Sequence, residues 1–445
     1  MKLADYIRQV PQPMTKETCC GVSEKERAHL RELLYREIPS ERIARLLSQG
    51  RERARRELTA SIEQILSAHD FAPMSDIDRS ALIEHTLDMV LGLGPIEKML
   101  KDDSVTEIMV NGPRSVFFER DGIICSCDER YDSEEQLRLV IDRIVSPLGR
   151  RVDEQCPIVN ARLPEGHRVN VVIPPLSISG TTLTIRKFRA QSFTLAELVG
   201  MDALSPEMAQ LLSWAVRARK NIAVSGGTGG GKTTLLNALS RLIPHEERVI
   251  TIEDSAELRF DQHPHVVRLE ARLANAEGRG SVTIRELVTN ALRMRPDRIV
   301  VGECRGAEAL DMLQAMNTGH DGSLTTLHAN SPSEVIPRLV MMVRYGMDLP
   351  TEIIEEQIAS ALDLVVQQDR LSGGKRRITQ VAMYGENDAH GRRGFVPIVS
   401  WDRRTQRYEW GELPSWIEDL PYMNVATEAE VRQWVQSVRC CCLAA

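Results

Sequence analysis

The chain has 445 residues, which is more than one hydrophobic core usually supports, so we expect two or three domains. Its hydrophobic content of 42% is typical of a globular protein, and neither a run of about 18 apolar residues nor the apolar core of a signal peptide occurs, which predicts a cytoplasmic protein. A net charge of -7 and an aromatic content of 4% argue against a broad basic surface for nucleic acid. The nine cysteines lack the paired spacing of a structural zinc site.

The first hundred residues show helical periodicity. Apolar residues such as Leu30, Leu34, Leu47 and Leu66 recur at helix spacing between charged residues. We therefore predict an N-terminal helical region over residues 1–100, with about three helices.

Between Val105 and Phe188 the hydrophobic period changes to two. Short β-branched and aromatic runs are separated by turn pairs such as Asn111-Gly112, and one helical stretch is expected at Ser133–Val145. This pattern predicts a small α+β domain over residues 101–188, followed by a linker over residues 189–194.

Strand and helix patterns alternate over residues 195–385, which is typical of an α/β layer structure with a mainly parallel sheet. We expect strands at Asn221–Ser225, Arg248–Glu253, Arg298–Glu303 and Ser323–His328. Residues 386–445 are predicted to form a β-rich C-terminal extension that ends in a short helix.

A phosphate-binding loop is the most informative motif. Residues Gly226–Thr233 read GGTGGGKT, between a strand-like apolar run and a helix-like run. In this context backbone N–H groups converge on phosphates at a helix N-terminus, while Lys232 supplies a positive charge and Thr233 a hydroxyl for Mg²⁺. The motif therefore predicts a bound nucleotide with Mg²⁺. The predicted ligands are Gly226, Gly227, Thr228, Gly229, Gly230, Gly231, Lys232, Thr233 and Thr234.

Acidic residues end the next two predicted strands. The first strand runs into Glu253, and the second ends in Gly302-Glu303, where most P-loop enzymes have an Asp that holds Mg²⁺ through water. We expect Glu303 to be the general base that polarises the attacking water, and Glu253 to support the metal or share that role. Together with Thr233, these two carboxylates are the predicted residues on the metal side of the site.

Two histidines flank the fourth predicted strand. His320 precedes it and His328 ends it. Either could sense the γ-phosphate and relay its loss, and either could equally be a structural histidine. Their spacing on an extended strand places the rings too far apart to share a metal ion.

Two arginines of the preceding domain are further candidates. Arg168 follows a predicted turn and Arg186 ends a predicted strand. Arginines brought from another domain can neutralise charge on a transferring phosphate, although an exposed strand arginine is the ordinary interpretation.

Four segments in this order resemble the Walker A motif, Asp box, Walker B motif and His box of type II/IV secretion-system ATPases. They are the P-loop, Thr251–Leu258, Val301–Ala309 and Thr318–Pro332. The similarity is greatest to the CpaF-like branch, which powers Tad/Flp pilus assembly, and it covers Leu93 to Tyr384. The segments EIMVNG, NARLP and LTIRKF before the P-loop also resemble that branch.

The resemblance implies an α/β fold class, with a RecA-like P-loop ATPase domain preceded by a PAS-like α+β domain and the N-terminal helical region. It implies a homo-hexameric ring with ATP clamped between the two domains. It further implies that Arg168 and Arg186 reach the phosphates and that His320 and His328 couple nucleotide state to movement. The sequence departs from the family at Gly230, Asn160 and Cys304, where Ser, Asp and a different neighbour of Glu303 are common.

We therefore expect an ATP hydrolase that drives Tad/Flp-type pilus assembly or secretion through inner-membrane platform proteins. It would be peripheral at the inner membrane and would bind no nucleic acid. Three alternatives stay open: a type IV secretion ATPase for protein or DNA transfer, a nucleic-acid-stimulated RecA-like translocase, and an adaptor that binds ATP and barely hydrolyses it.

Overall fold

The computed structural model divides the chain into two compact units, residues 1–189 and 190–445. It describes residues 22–39, 42–43, 45–46, 49–120, 122–163, 165–188, 193–260, 262–272, 274, 279–371, 374–386 and 393–443. Positions 189–192 of the predicted linker lie outside the described residues. Within the described residues, no helix combines the length and the apolar character needed to cross a lipid bilayer.

Three long helices begin the first unit: α1 (Glu24–Glu37), α2 (Arg51–Ala68) and α3 (Asp76–Leu91). Ser23 starts α1 because its side chain accepts the N–H of Glu26, whose carboxylate returns to the Ser23 backbone, a reciprocal capping box. The apolar faces of the three helices share one core. Residues 22–91 are therefore largely helical where the structure describes them, and residues 1–21 of the predicted helical region lie outside the described residues.

An antiparallel sheet of six strands forms the rest of this unit, in the order β3-β2-β1-β6-β5-β4. The strands are β1 (Val105–Asn111), β2 (Val116–Arg120), β3 (Ile123–Cys127), β4 (Ile158–Arg162), β5 (Arg168–Val172) and β6 (Thr182–Arg186). Helices α4 (Glu97–Lys101) and α5 (Glu134–Val145) accompany the sheet, and α5 buries its apolar face on the alternating inward residues of the strands. This arrangement confirms the PAS-like α+β fold.

The second unit is built on a mixed sheet of nine strands, in the order β15-β14-β13-β12-β7-β11-β10-β8-β9. The parallel strands are β7 (Ile222–Ser225), β8 (Val249–Glu253), β9 (Val266–Glu270), β10 (Arg298–Cys304), β11 (Leu324–Leu327) and β12 (Leu364–Arg370). Strands β13 (Arg376–Glu386), β14 (Arg393–Asp402) and β15 (Arg407–Trp410) continue the sheet antiparallel. All four strands predicted in the ATPase region are present.

Helices cover both faces of this sheet, and two separate apolar cores result. The helices of this unit are α6 (Leu195–Gly200), α7 (Pro206–Arg217), α8 (Lys232–Ser240), α9 (Ile284–Ala291), α10 (Glu308–Asn317), α11 (Val335–Arg344), α12 (Thr351–Ala361) and α13 (Glu428–Leu443). Strand β7, the first along the chain, lies between β11 and β12, with β10 and then β8 beyond β11. This strand order is the RecA-like one, which confirms the predicted fold class.

The C-terminal residues belong structurally to the second unit. Trp434 of α13 packs edge-on against Trp214 and Trp410, and its indole N–H donates to the carbonyl of Glu207 at 2.9 Å. The segment predicted as an extension therefore shares the core of the P-loop sheet.

Candidate nucleotide site

The phosphate loop connects the buried strand β7 to helix α8, and it demands glycine at its first position. Gly226 has a φ of 152°, and a Cβ there would lie 2.1 Å from the carbonyl oxygen of Gln368 on β12. Gly231 has a φ of 99°, in the region that disfavours side chains, and it directly precedes Lys232 of α8. Close approach of β12 thus explains the glycine at the start of the loop, and the left-handed backbone explains the glycine at its end.

The middle of the loop faces outward and the start of α8 is half-buried. Gly227, Thr228 and Gly229 are exposed, whereas Thr233 and Thr234 are partly covered in the first turn of the helix. The first N–H groups of a helix have no partner within the helix, so this turn presents donors and hydroxyls that suit an anionic ligand. The loop and the first turn therefore have the chemistry of a phosphate cradle.

Lys232 is held inside this cradle although its side chain is long and charged. Its Nζ donates to the carbonyl oxygens of Gly226 and Gly227, both at 3.1 Å, and the residue is only 8% exposed. The same Nζ lies 3.4 Å from both ring nitrogens of His328. Since β7 and β11 are parallel neighbours, the end of β11 delivers His328 to the phosphate loop.

Glu303 joins this group from β10. Its Oε1 lies 3.0 Å from Nε2 of His328, and its Oε2 accepts a hydrogen bond from Arg305 at 2.7 Å. The His328 contact has ion-pair distance but poor hydrogen-bond alignment, so Oε1 accepts no hydrogen bond from the described residues. Lys232, His328 and Glu303 thus form one connected cluster at the carboxyl edge of the sheet.

The electrostatics of the cluster favour an ionised glutamate and a neutral histidine. Burial acts to raise the pKa of Glu303, but Arg305, His328 and Lys232 together outweigh it and the pKa is lowered. Burial lowers the pKa of His328, and Lys232 adds to this effect while Glu303 opposes it. An ionised carboxylate with an oxygen that accepts no hydrogen bond is suited to orienting and deprotonating a water molecule.

Glu253, at the end of β8, has a different environment. It is 3% exposed, and its Oε1 accepts the backbone N–H groups of Glu257 at 2.6 Å and Leu258 at 2.8 Å. Burial raises its pKa to about 7, against the lowering effect of those two hydrogen bonds. A Cβ at Gly302 would lie 2.9 Å from Cγ of Glu253, so the glycine that replaces the usual Asp makes room for this side chain.

Comparison with known proteins identifies the family of the chain. A family model described as type II/IV secretion system protein matches residues 90–387, more than half of the chain. The chain belongs to this family. It is therefore a secretion or pilus ATPase of the type II/IV class, an ATP hydrolase that binds nucleotide.

Individual relatives cover most of this secretion ATPase. A protein of Mycobacterium tuberculosis whose name refers to conjugal transfer is 39% identical over 318 residues, which is 70% of this chain and 89% of that protein. The type IV secretion system protein VirB11 of Bartonella quintana is 32% identical over 338 residues, 67% of this chain and 94% of that protein. A solved structure of the VirB11 ATPase of Brucella suis with sulphate is 32% identical, covers 65% of this chain and 95% of that one, and has a TM-score of 0.36.

His320 is not part of the cluster, which corrects its predicted role in the site. It precedes β11, at the amino edge of the sheet, and its Nδ1 lies 3.2 Å from the carbonyl oxygen of Ala315. The four residues of β11 alone span about 13 Å at about 3.3 Å per residue, so the two histidines lie at opposite edges. Of the two, only His328 reaches Lys232.

Arg168 and Arg186 lie in the unit of residues 1–189, directly opposite each other on β5 and β6. Arg186 is exposed and Arg168 is half-buried. Arg162 on β4 is the register partner of Arg168, so three arginines lie side by side across three strands. Like charges in such positions repel each other and favour an anionic partner. That Arg168 and Arg186 reach the phosphates of the secretion ATPase stays a prediction.

Strand β12 contributes residues to the site that sequence reasoning did not identify. The carbonyl of Gln368 packs under Gly226, the side chain of Gln367 reaches Ser225, and Arg376 at the start of β13 donates to the carbonyl of Gly229 at 3.0 Å. These contacts depend on β12 lying beside β7, which local hydrophobic periodicity does not reveal. The only signal in the sequence is the pair of glutamines that directly follows the apolar run Leu364–Val366.

Proposed function

We propose that this secretion ATPase is a hexameric motor that hydrolyses Mg²⁺-ATP to power Tad/Flp-type pilus assembly or secretion across the inner membrane. The observation that carries the catalytic part is the contact of Lys232, His328 and Glu303 at the end of three adjacent parallel strands. The pilus part is supported by the similarity of the sequence to the CpaF-like branch, which extends over the PAS-like domain as well as the ATPase domain.

Each residue of the cluster has a role that follows from its environment. Lys232 binds the β- and γ-phosphate oxygens, exchanging its two loop carbonyls for them, while the loop N–H groups bind the remaining oxygens. Glu303 orients the attacking water and takes its proton at Oε1, the oxygen without a hydrogen bond. Arg305 keeps Glu303 ionised and fixes its other oxygen.

The residues around the loop also fit a magnesium ion. Thr233 offers a hydroxyl in the first turn of α8, and Oε2 of Glu253 is buried without a hydrogen-bond partner, which a cation or its hydration shell would satisfy. We propose that Thr233, with Glu253 and Glu303 beyond it, would hold Mg²⁺. When bound, the ion neutralises charge that develops on the phosphates.

His328 is proposed to sense the nucleotide. It contacts both the phosphate-binding lysine and the catalytic carboxylate, so a change at the γ-phosphate alters its two neighbours together. A neutral ring can donate one hydrogen bond and accept another, which allows it to change partners when the phosphate leaves. Arg168 and Arg186 are proposed to neutralise phosphate charge from the PAS-like domain, as the family resemblance implies.

The proposed partners are five further copies of this chain and the inner-membrane platform of a pilus or secretion system. Peripheral association with the inner membrane from the cytoplasm follows from that assignment. We propose no nucleic-acid ligand, because the net charge is -7.

A second candidate is a type IV secretion ATPase for DNA or protein transfer. The observation that favours it is that two relatives that cover most of this chain are a conjugal transfer protein and VirB11. Both candidates use the same ATPase chemistry and differ only in what the motor moves.

A complementation experiment separates these candidates. A strain that lacks the gene is complemented with the wild-type chain, with Lys232→Ala, or with Lys25→Ala as a control at an exposed lysine of α1. We expect the wild type and the control to restore surface pilin in the sheared fraction, and Lys232→Ala to restore none. Normal pili in the deletion strain, with loss of DNA or protein transfer, would overturn the pilus assignment in favour of the second candidate.

A further inference from the structure

Two consecutive glutamines are buried in the middle of the ATPase sheet. Gln367 is 2% exposed and Gln368 is 3% exposed, although β12 is otherwise apolar up to this point. The pairing of β12 with β13 shifts register between these two residues, a β-bulge. Bulges redirect side chains and are common beside active sites. Because buried amides are costly without partners, their contacts indicate what the bulge positions.

The side chain of Gln367 connects three chain segments. Its Oε1 accepts a hydrogen bond from the hydroxyl of Ser225. Its Nε2 lies 3.2 Å from the carbonyl oxygen of Asn330, 3.4 Å from that of Ala329 and 2.9 Å from Oδ1 of Asp369, and it donates to this group of oxygens. Ser225 is the last residue of the phosphate-loop strand, and Ala329 directly follows His328.

Within the part of the chain that the structure describes, the segment after β11, whose carbonyls contact Gln367, has no strand pairing of its own. The ladder between β7 and β11 ends with the pair Ser225 and Leu327, so the backbone after Leu327 is no longer fixed by a neighbouring strand. The carbonyls of Ala329 and Asn330 are instead fixed by Gln367. The orientation of His328, which lies between the end of the ladder and these carbonyls, therefore depends on Gln367, alongside Glu334, which accepts the backbone N–H of Asn330 at 3.1 Å.

We propose that Gln367 is a positioning residue that sets His328 against Lys232 and Glu303, and so couples the phosphate loop to the segment that follows β11. This inference rests on the proposed role of His328 as the nucleotide sensor. Gln367 itself contacts none of the residues predicted to touch the nucleotide or the water; it acts by fixing the backbone on both sides of the cluster.

Gln367→Met tests the coupling in the full-length protein. Methionine has a similar volume but removes all these hydrogen bonds, so the core stays filled while His328 loses its backbone anchor. We expect kcat to fall at least about tenfold, the effect of losing roughly 1.4 kcal/mol of transition-state stabilisation, while KM for ATP stays within about threefold. KM is preserved because the loop and Lys232 are unchanged.

A double mutant separates positioning from a general loss of structure. Residues that act through one another are not additive, so Gln367→Met combined with His328→Ala should turn over no more slowly than His328→Ala alone. Losses that multiply, or a wild-type rate for Gln367→Met, would overturn the inference. If His328→Ala alone keeps the wild-type kcat, the sensor role in the proposed function fails as well, which is a distinguishable result.

Two further variants guard against a folding defect. Gln380→Met changes the same residue type at the position paired with Gln367 on β13, one strand further from the phosphate loop, and should keep wild-type kcat. Ser225→Ala removes the other end of the link and leaves Gln367 in place. It should lower kcat with little change in KM, again without additivity to His328→Ala. Thermal unfolding of every variant is measured in parallel, and a wild-type kcat for a folded Ser225→Ala protein contradicts the proposal.

Discussion

In the nine-stranded sheet of residues 190–445, a cluster of charged residues lies at each end of the parallel strands. The amino-edge and carboxyl-edge clusters differ in how many of their polar atoms have hydrogen-bond partners. At the amino edge, Arg298 is fully buried, and it pairs with Glu247 through two nitrogens and donates to the carbonyl of Gly322 at 3.1 Å. Arg219 adds a third hydrogen bond to Glu247 at 3.3 Å. Every nitrogen of the Arg298 guanidinium has a partner.

At the carboxyl edge the charges are equally close, yet several atoms lack hydrogen bonds. Oε1 of Glu303, Oε2 of Glu253 and Oε1 of Gln368 are buried and accept none from the described residues. A buried charge whose partners are all present is held in the fold and is costly to break, whereas an unsatisfied buried polar atom costs stability and persists where a ligand completes it. We therefore expect a structural role for the charges at the amino edge and a functional role for those at the carboxyl edge.

The largest expected effect is at the carboxyl edge. Lys232→Ala removes the cation of the phosphate cradle, so we expect ATP turnover to fall by about 10³-fold or more, by analogy with other phosphate-binding cations, with a melting temperature within a few degrees of wild type. Steady-state ATPase assays and thermal unfolding check this result. Lys25→Ala, on an exposed face of α1, should show neither change.

The amino edge should respond in the opposite way. Arg298→Met leaves Glu247, whose side chain is 15% exposed, with half of its partners, and we expect the free energy of unfolding to fall by about 3–5 kcal/mol. All five tryptophans lie in this unit, so their fluorescence reports its chemical unfolding: Trp214, Trp401, Trp410, Trp416 and Trp434. Adding Glu247→Gln should recover much of the loss. An unchanged free energy of unfolding in Arg298→Met would contradict a structural role for the amino edge.

Glu253 makes the stability of the carboxyl edge depend on pH. Burial raises its pKa from 4.5 to about 7, so between these values the folded protein holds a proton that the unfolded chain has lost. The contribution of Glu253 to stability is therefore largest below about pH 4.5 and declines by up to about 3 kcal/mol as pH rises to about 7. Tryptophan-monitored unfolding in EDTA without nucleotide measures this decline, which should be absent from Glu253→Gln. Parallel pH profiles for the two proteins would contradict this account.

Gly302→Ala is expected to have the smallest effect. The added methyl group would lie 2.9 Å from Cγ of Glu253, and two backbone hydrogen bonds hold that side chain in place. We expect a stability loss of about 1–3 kcal/mol and a several-fold lower kcat, since β8 and β10 must separate slightly. Gly200→Ala is a matched control, because Gly200 has open space where a Cβ would lie and its φ is outside the left-handed region.

The local sequence pattern was sufficient to predict the phosphate loop and the four strands around it. GGTGGGKT lies between an apolar strand and a helix, and those strands are short runs rich in apolar and β-branched residues that are buried on both faces, a pattern that the sequence shows directly. The carboxylates Glu253 and Glu303 followed from the same reasoning, because parallel strands end at a common edge.

Long-range pairing determined the features that the sequence did not predict. His320 and His328 are equivalent by sequence pattern. Their positions at opposite edges of the sheet follow only from the direction of β11, which lies between them. The contribution of Gln367 requires β12 to lie beside β7, although some 140 residues separate Ser225 from its partner. The row formed by Arg162, Arg168 and Arg186 likewise depends on the register of three strands. Such contacts are set by tertiary packing and leave no local periodic signal.

The central claim is that the cluster at the carboxyl edge hydrolyses ATP with Glu303 as the base, and Glu303→Gln tests it most directly. ATP binding, followed with a fluorescent ATP analogue, and single-turnover hydrolysis are measured on the same protein. We expect binding within a few-fold of wild type and hydrolysis slower by about 10²–10⁴-fold, the range expected for loss of a general base. Hydrolysis at the wild-type rate by a variant that binds ATP normally would contradict it.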